Sequence, residues 1–272
     1  MSLTQPQVYA APFDALADRY DETFTHSKIG QAQRSSVWIE LARAFRHGDS
    51  VLEIGCGTGV DACFLGKRGV RVLACDSSPE MITRTTRRVK QEQLEGLVEA
   101  QVLTAEEISS LSKHEPFNGA FSDFGALNCV QHLDRLAASL ARLLRPGAKV
   151  LLCYMGKVCL WEMVSYLAQA KPGKAFRRFR RGGVTARFAD GASVRVYYPS
   201  LGYIKGSFAP EFRLASIKGV GILVPPSYLE TWARKFPRAF QSAMLGDSLL
   251  CRCPGIRLLG DHLLLEFERA QP

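Results

Sequence analysis

The sharpest chemical signal in the chain is the run Val51-Leu52-Glu53-Ile54-Gly55-Cys56-Gly57-Thr58-Gly59. An apolar stretch that reads as a buried strand passes into three glycines and then into a helix-like segment. Glycines tolerate positive φ and let a ligand approach the backbone, and a helix starting there directs free N–H groups at it. Asp76 ends the next strand-like run, 21 positions after Gly55. In doubly wound folds an acidic residue at that distance accepts hydrogen bonds from a ribose. Together these residues predict a nucleoside-binding corner. A dinucleotide fingerprint, Gly-x-Gly-x-x-Gly, requires glycine or alanine at position 60, and the chain has Val60. The spacing is instead Gly-x-Gly-x-Gly, preceded by Glu53.

Further candidates lie downstream. Phe121 to Asn128 follows a strand-like run, and Asp123 and Asn128 within it are placed to contact a ligand. Asp123 reads equally well as a loop or cap carboxylate. Asp123-Phe124-Gly125 also spells a kinase motif, but the other kinase elements are absent. His132 precedes an apolar helix. Its near-neutral pKa suits a general base for a hydroxyl acceptor, and its position suits a helix cap. Tyr20 and His26 fall in an N-terminal segment that either covers a ligand or packs. Trp38, Leu41 and Phe45 have helical spacing and read as core. Lys171, Lys174, Arg177, Arg178, Arg180, Arg181 and Arg187 form a basic stretch with no acid between its ends, interleaved with Phe176 and Phe179. It reads as a solvated basic face, or as a docking site for an anionic acceptor or a membrane surface. Val224-Pro225-Pro226-Ser227-Tyr228 is either an ordinary turn or a wall of the same pocket.

The elements that must position these residues follow from periodicity. Strands are expected at 50–54, 70–75, 97–103, 119–122 and 149–155, with helices at 61–68 and from Ser78 toward Leu94. Ser78 is the expected N-cap with Pro79 first in the helix, and Ser77 with Glu80 forms a candidate capping box. Leu133, Leu136, Leu140 and Leu143 recur at helical spacing, and Arg145-Pro146-Gly147 breaks the chain before the fifth strand. This alternation predicts an α/β, doubly wound, mostly parallel sheet. A helical segment at 160–170 follows, then a hairpin of 185–188 and 193–198 around Ala189-Asp190-Gly191-Ala192. Strands at 220–224 and 262–267 flank a helix-like stretch from Tyr228.

Length and composition fit one soluble domain of 272 residues, 47% hydrophobic and 22% charged. We divide it into an N-terminal lid and helix (1–47), a binding core (48–156), a cap insertion (157–218) and C-terminal core strands (219–272). No apolar run is long enough to span a bilayer, and the N-terminus lacks a signal-like pattern, so the cytoplasm is the expected compartment. The eight cysteines lack metal-ligand spacing, so no metal is expected. The net charge of +9 admits nucleic acid, anionic lipid or an acidic small molecule as partner.

These motifs resemble the class I S-adenosylmethionine-dependent methyltransferases, in particular the ubiquinone/menaquinone methyltransferase-like branch. Glu53-Ile54-Gly55-Cys56-Gly57-Thr58-Gly59 matches the family's first motif, and Asp76, Ser77, Ser78 and Met81 match its second-strand pattern. Gln131-His132-Leu133 and Leu144-Arg145-Pro146-Gly147-Ala148 are similar to later family motifs. Ala17 to Asp21 is similar to the segment that closes over the cofactor. The likeness is specific over about 15–155. It implies a Rossmann-like, seven-stranded sheet whose last strand is antiparallel, with an N-terminal helical lid and an insertion between the fifth and sixth strands. It implies S-adenosylmethionine over Gly55, Cys56, Gly57, Thr58 and Gly59, with its ribose on Asp76, S-adenosylhomocysteine being the product. Tyr20, Glu53, Ser77, Met81 and Phe124 complete that site, and the adenine lies near Ala105 and Glu106. Many relatives have aspartate where this chain has Thr104.

The expected activity is methyl transfer to oxygen or carbon of a small-molecule, secondary-metabolite or lipid acceptor, anionic or neutral. His132 and Asp123 are the catalytic candidates, and His26, Asn128, Arg177, Arg178 and Tyr228 the acceptor-binding ones. Two other readings stand beside it. One is an RNA methyltransferase using the basic stretch, although no RNA-binding module is present. The other is a non-catalytic cofactor-binding or partner protein on the same fold.

Overall fold

A computed structural model describes residues 13–187 and 191–271. Residues 1–12, Pro272, Phe188 at the end of the expected first hairpin strand, and the expected turn residues Ala189 and Asp190 lie outside them. The chain opens with α1 (Asp14–Tyr20), a π-helical turn (Asp21–Thr25) and α2 (Lys28–Ala44). Ser27 caps α2, its hydroxyl accepting from the Gly30 N–H at 2.9 Å. The alternating part runs β1 (Ser50–Ile54), α3 (Val60–Gly66), β2 (Arg71–Asp76), α4 (Pro79–Gln91), β3 (Val98–Val102), β4 (Phe117–Ser122), α5 (Leu133–Leu143) and β5 (Leu144–Met155). Then come α6 (Leu160–Ala168), α7 (Pro172–Ala175), the hairpin β6 (Val184–Arg187) and β7 (Ser193–Val196), and α8 (Leu201–Phe208). The sheet is completed by β8 (Phe212–Val220) and, after α9 (Glu230–Lys235) and α10 (Pro237–Leu250), by β9 (His262–Arg269).

Seven strands form one sheet in the order β3-β2-β1-β4-β5-β9-β8. β1 to β5 pair in parallel, and β9 runs antiparallel to both β5 and β8. Helices cover both faces, so the central strands are buried on both sides. Their period of two splits them between two cores. Leu52, Ile54, Leu73, Val150 and Leu152 pack toward α5 and α8, joined by Leu136, Leu140 and Phe208. Val51, Val72, Ala74, Leu151 and Cys153 pack toward α2, α3 and α4, with Val37, Leu41, Phe45 and Leu65. Trp38 packs beside this second core and stacks on Phe64, their rings 4.2 Å apart.

Three local expectations are corrected. Ser78 caps α4 as expected, accepting from the Met81 N–H at 3.1 Å, but the Ser77/Glu80 box does not form. Arg145-Pro146-Gly147 does not end a helix before a separate strand. β5 begins at Leu144, and the extra residues are absorbed as a register shift between the pairs Phe117↔Leu144 and Gly119↔Lys149. The sixth sheet strand is Phe212–Val220, not 220–224. Its half-buried Phe-Arg-Leu-Ala-Ser-Ile-Lys pattern hid it, and Gly221, at φ +70°, turns the chain away directly afterwards.

Candidate functional site

The crevice opens at the C-terminal ends of β1, β2 and β4, where strand order reverses, the usual ligand position in an open α/β sheet. β1 ends at Ile54, and Gly55, Gly57 and Gly59 follow at φ +75°, +54° and +76°. Those values admit glycine readily and other residues with strain. A Cβ on Gly55 would stand 2.3 Å from the Ala126 Cβ, and one on Gly59 2.5 Å from Thr85 Cγ2. The loop is thus packed from behind by the β4 loop and by α4. Asp76 holds it from the side. Its carboxylate accepts from the Gly57 N–H and the Ser78 N–H, each at 2.9 Å. Burial raises the Asp76 pKa, and those two amides work against the rise.

The lid is latched to the same loop. Thr58 Oγ1 donates to Asp21 Oδ1 at 2.7 Å, and Arg88 binds both Asp21 and the Thr58 carbonyl. Asp14 accepts from Ser78 Oγ, and Asp18 pairs with Arg84. Tyr20 thereby lies along the crevice beside Gly57, its hydroxyl pKa pushed up to about 12 by burial.

The crevice is a cavity of about 400 Å³ with two unlike ends. Asp76, Ser77, Met81, Thr104, Ala105 and Glu106 line its nucleoside side, and Glu106 is exposed at the rim. Cys129, Val130, Met155 and the hairpin residues Ala186, Val194 and Val196 make the far wall apolar. Between them stands Asp123. It is buried, and neither of its carboxylate oxygens has a hydrogen-bond partner among the described residues. A small polar pocket beside it is walled by Tyr20, Arg34, the glycine loop, Asp61 and Phe124. Arg34 is buried over the Phe24 and Phe124 rings and pairs with Asp61, which also accepts from Trp38 Nε1 at 2.6 Å. Glu53 is buried on the same side of the sheet. Three carboxyls thus share one arginine. Burial, then the charge of Asp61, raises both the Asp123 and the Glu53 pKa well above the usual range, with Arg34 opposing. Such a cluster is stabilised by an added cation.

Residues 51–147 match the family model described as a methyltransferase domain. The chain is 29% identical over 151 residues to a demethylmenaquinone methyltransferase of Thermobifida fusca, covering 54% of this chain and 61% of that protein. It is 31% identical over 153 residues to the Streptomyces avermitilis protein of the same name, covering 55% and 61%. Less than two thirds of those relatives' length is therefore matched. A structure of a putative S-adenosylmethionine-dependent methyltransferase from Listeria monocytogenes superposes with a TM-score of 0.60 at 17% identity, over 88% of this chain and all of that one, which establishes the fold. Residues 51–147 are thus similar to a methyltransferase domain, and the fold is that of S-adenosylmethionine-dependent methyltransferases. The chain's sequence relatives lie on the quinone methyltransferase-like branch.

Within this fold the sequence-expected residues divide sharply. Tyr20, Gly55, Gly57, Asp76, Ser77, Met81, Ala105, Glu106, Asp123 and Phe124 line the main cavity, and Cys56 and Thr58 line the small pocket. Glu53 and Gly59 lie behind them, in the core and at the start of α3. The acceptor candidates fare differently. Asn128 is fully buried and spent on a clamp. Its amide donates to the Tyr197 carbonyl at 2.7 Å, and its Oδ1 accepts from the Met155 N–H at 2.8 Å. Arg178 is buried and divided between Glu162, Asp261 and the Gly156 carbonyl. Arg177 makes a two-toothed pair with Glu162. Both arginines therefore fasten their own segment to α6, Arg178 also ties it to the region after β5, and both are already paired. His26 is exposed at the end of the π-helical turn, and Tyr228 is half-exposed against Tyr166. His132 sits exposed at the N-cap of α5, with no cap hydrogen bond and outside the cavity lining. It lines neither the main cavity nor the small pocket.

Arg34, Asp61, Met155 and the three hairpin residues were not singled out from sequence. Arg34 and Asp61 meet across 27 positions of chain, and no local pattern announces the pair.

Proposed function

We propose that this protein transfers a methyl group from S-adenosylmethionine to an oxygen or carbon atom of an apolar small-molecule or lipid acceptor. The observation that carries the reading is the unpartnered Asp123 carboxyl, in a carboxylate-rich pocket between the glycine loop and an apolar chamber. S-adenosylmethionine brings an ammonium and a sulfonium, the positive charges this pocket lacks. Asp123 and Arg34, at the mouth of the small pocket, would be the charged residues to hold its amino-acid end. Its ribose fits Asp76, which retains acceptor capacity beyond its two backbone bonds. The adenine fits between Met81, Leu103 and Ala105, with Glu106 at the rim.

When bound, the cofactor supplies an electrophilic methyl on a good leaving group. The protein's part is alignment and exclusion of water. The glycine loop and Asp76 fix the nucleoside, Tyr20 and the latched lid cover it, and the chamber of Val130, Met155, Ala186, Val194 and Val196 holds an apolar acceptor in line. No histidine lines the cavity among the described residues. The carboxyls that do so are Asp76, Asp123 and the exposed rim residue Glu106. The reading thus favours acceptors that shed their proton easily, such as phenolic or enolic ones.

The experiment is transfer from methyl-labelled cofactor in a host-cell extract, followed by partition into organic, aqueous, protein and RNA fractions. Label in the organic or small-molecule fraction is expected. Label confined to RNA or protein refutes the apolar-acceptor reading. Failure to bind cofactor in calorimetry refutes the cofactor assignment itself.

A further inference from the structure

The basic stretch that does not serve the cavity lies on a surface of its own. α6 turns one face outward. Leu160, Val164 and Leu167, at i, i+4 and i+7, are 42%, 56% and 47% exposed. That is one stripe of a helix, and it is aliphatic where a solvated helix is polar. Beyond the helix end the chain turns at Ala170, φ +55°, and Lys171 is exposed. Phe176 and Phe179 follow, 45% and 43% exposed with their rings 6.2 Å apart. Around them stand Lys171, Lys174, Arg180 and Arg181, all exposed. Arg177 and Arg178 are neutralised by Glu162 and Asp261, whereas these four have no carboxylate within ion-pair distance among the described residues. From Glu162 to Arg187 the chain contains no further acidic residue. Lys174 and Arg177 lie over the Tyr166 ring, which joins the cationic segment to the side of α6.

We propose that this face docks on an anionic phospholipid surface, with α6 and the two phenylalanines entering the interface and the four cations meeting headgroup phosphates. An exposed apolar stripe flanked by lysine and arginine is the pattern of an interfacial helix. Charge selects the occupant. A second copy of this chain would set four unpaired cations against four more. An anionic bilayer supplies the missing counter-charge and a solvent for Leu160, Val164 and Leu167 together. RNA would satisfy the cations and leave the aliphatic stripe in water. The surface also leads to the cavity. Arg180 and Arg181 lie four and three residues before the start of β6, and Ala186 on that strand lines the apolar chamber. Docking therefore places the mouth of the chamber beside the acyl region, which rests on the apolar-acceptor reading and names the acceptor's source as the membrane.

The test is sedimentation of the full chain with vesicles of phosphatidylcholine alone and of phosphatidylcholine mixed with phosphatidylglycerol, beside a fluorescent single-stranded RNA. Binding to the mixed vesicles and not to the neutral ones is expected. The Lys171→Gln/Lys174→Gln/Arg180→Gln/Arg181→Gln variant should bind them at least about 100-fold more weakly, because each lysine or arginine near such a surface contributes a several-fold factor. Leu160→Ser/Val164→Ser/Leu167→Ser should lose the part of the binding that survives high salt. All seven positions are exposed, and S-adenosylmethionine titration should read the same in both variants. No sedimentation with anionic vesicles, or equal sedimentation by both variants, overturns the proposal. So does RNA binding that the charge variant abolishes while vesicles remain unbound. If vesicles bind as expected and the cofactor does not, the docking face stands and the methyl-transfer reading falls.

Discussion

Replacing Asp123 by asparagine should move stability and binding in opposite directions. The carboxyl is buried without a hydrogen-bond partner, and its pKa is raised by burial and by Asp61. In the unfolded chain an aspartate titrates near about 3.9. Above that pH, and up to the raised folded value, the folded protein keeps a proton the unfolded chain has lost. Stability therefore falls as pH rises through that window. Asparagine has nearly the same shape and no ionisation, so the variant should lose this part of the slope. Without ligand it should melt at or above the wild-type temperature at pH 8, with the difference shrinking toward pH 4. Binding carries the other sign. A hydrogen bond to a charged group contributes about 1.5–3 kcal/mol, so S-adenosylmethionine should bind roughly 10- to 150-fold more weakly. S-adenosylhomocysteine keeps the ammonium and lacks the sulfonium charge. Equal weakening of both ligands assigns Asp123 to the ammonium. Weakening of S-adenosylmethionine alone assigns it to the sulfonium. Thermal melts across pH and calorimetric titration of both ligands read every term. A variant that melts lower at pH 8 and binds both ligands normally would refute the account of the pocket as a cation site.

Asp76→Ala should weaken cofactor binding by about 1–3 kcal/mol, because it removes the ribose acceptor and frees the Gly57 and Ser78 amides. Calorimetry showing unchanged affinity would remove Asp76 from the site. Arg178→Met should lower stability by about 3–5 kcal/mol, since Glu162 and Asp261 are left buried without their shared partner. Denaturant titration measures this, and a neutral result would mean the network is not buried as described. His132→Ala should leave kcat and cofactor affinity within twofold of wild type, and a large loss in kcat would restore it as a base.

Much of the binding half could be read in advance because its determinants are local. Gly55, Gly57 and Gly59 follow one strand without a gap, and Asp76 ends the next, so chain spacing stands in for distance in space. The parallel sheet was legible for the same reason, β1, β2 and the second half of β5 being short, mostly apolar runs. The acceptor half was not. Ala186, Val194 and Val196 are ordinary small residues that acquire meaning only when the hairpin folds over the crevice. Arg177 and Arg178 looked like surface cations because their neutralising partners, Glu162 and Asp261, lie 15 and 83 positions away from them. Asn128 looked like a ligand-facing amide because a sequence does not show which backbone groups will be left wanting partners. β8 escaped because exposed Arg213 and buried Lys218 both break its apolar run and its pattern is interrupted by the shift between Leu214 and Ser216.

The hairpin β6–β7 is held by Asn128, whose side chain and backbone both bond to Tyr197 while it also grips Met155. The ribbon is thereby fastened beside β5, with a second tie from the Tyr197 hydroxyl to Gln131 Oε1 at 3.2 Å, while Ala186 pairs with Val194 and Val184 with Val196 on its strands. Three small side chains set the calibre of the far chamber, and none of them touches the glycine loop or Asp76. Enlarging or trimming them reshapes one compartment and leaves the other as it was. Descent can retune this wall by single changes, and a lineage can pass from one guest to another while keeping its donor apparatus intact. Mutational libraries confined to positions 186, 194 and 196 explore the same freedom in the laboratory.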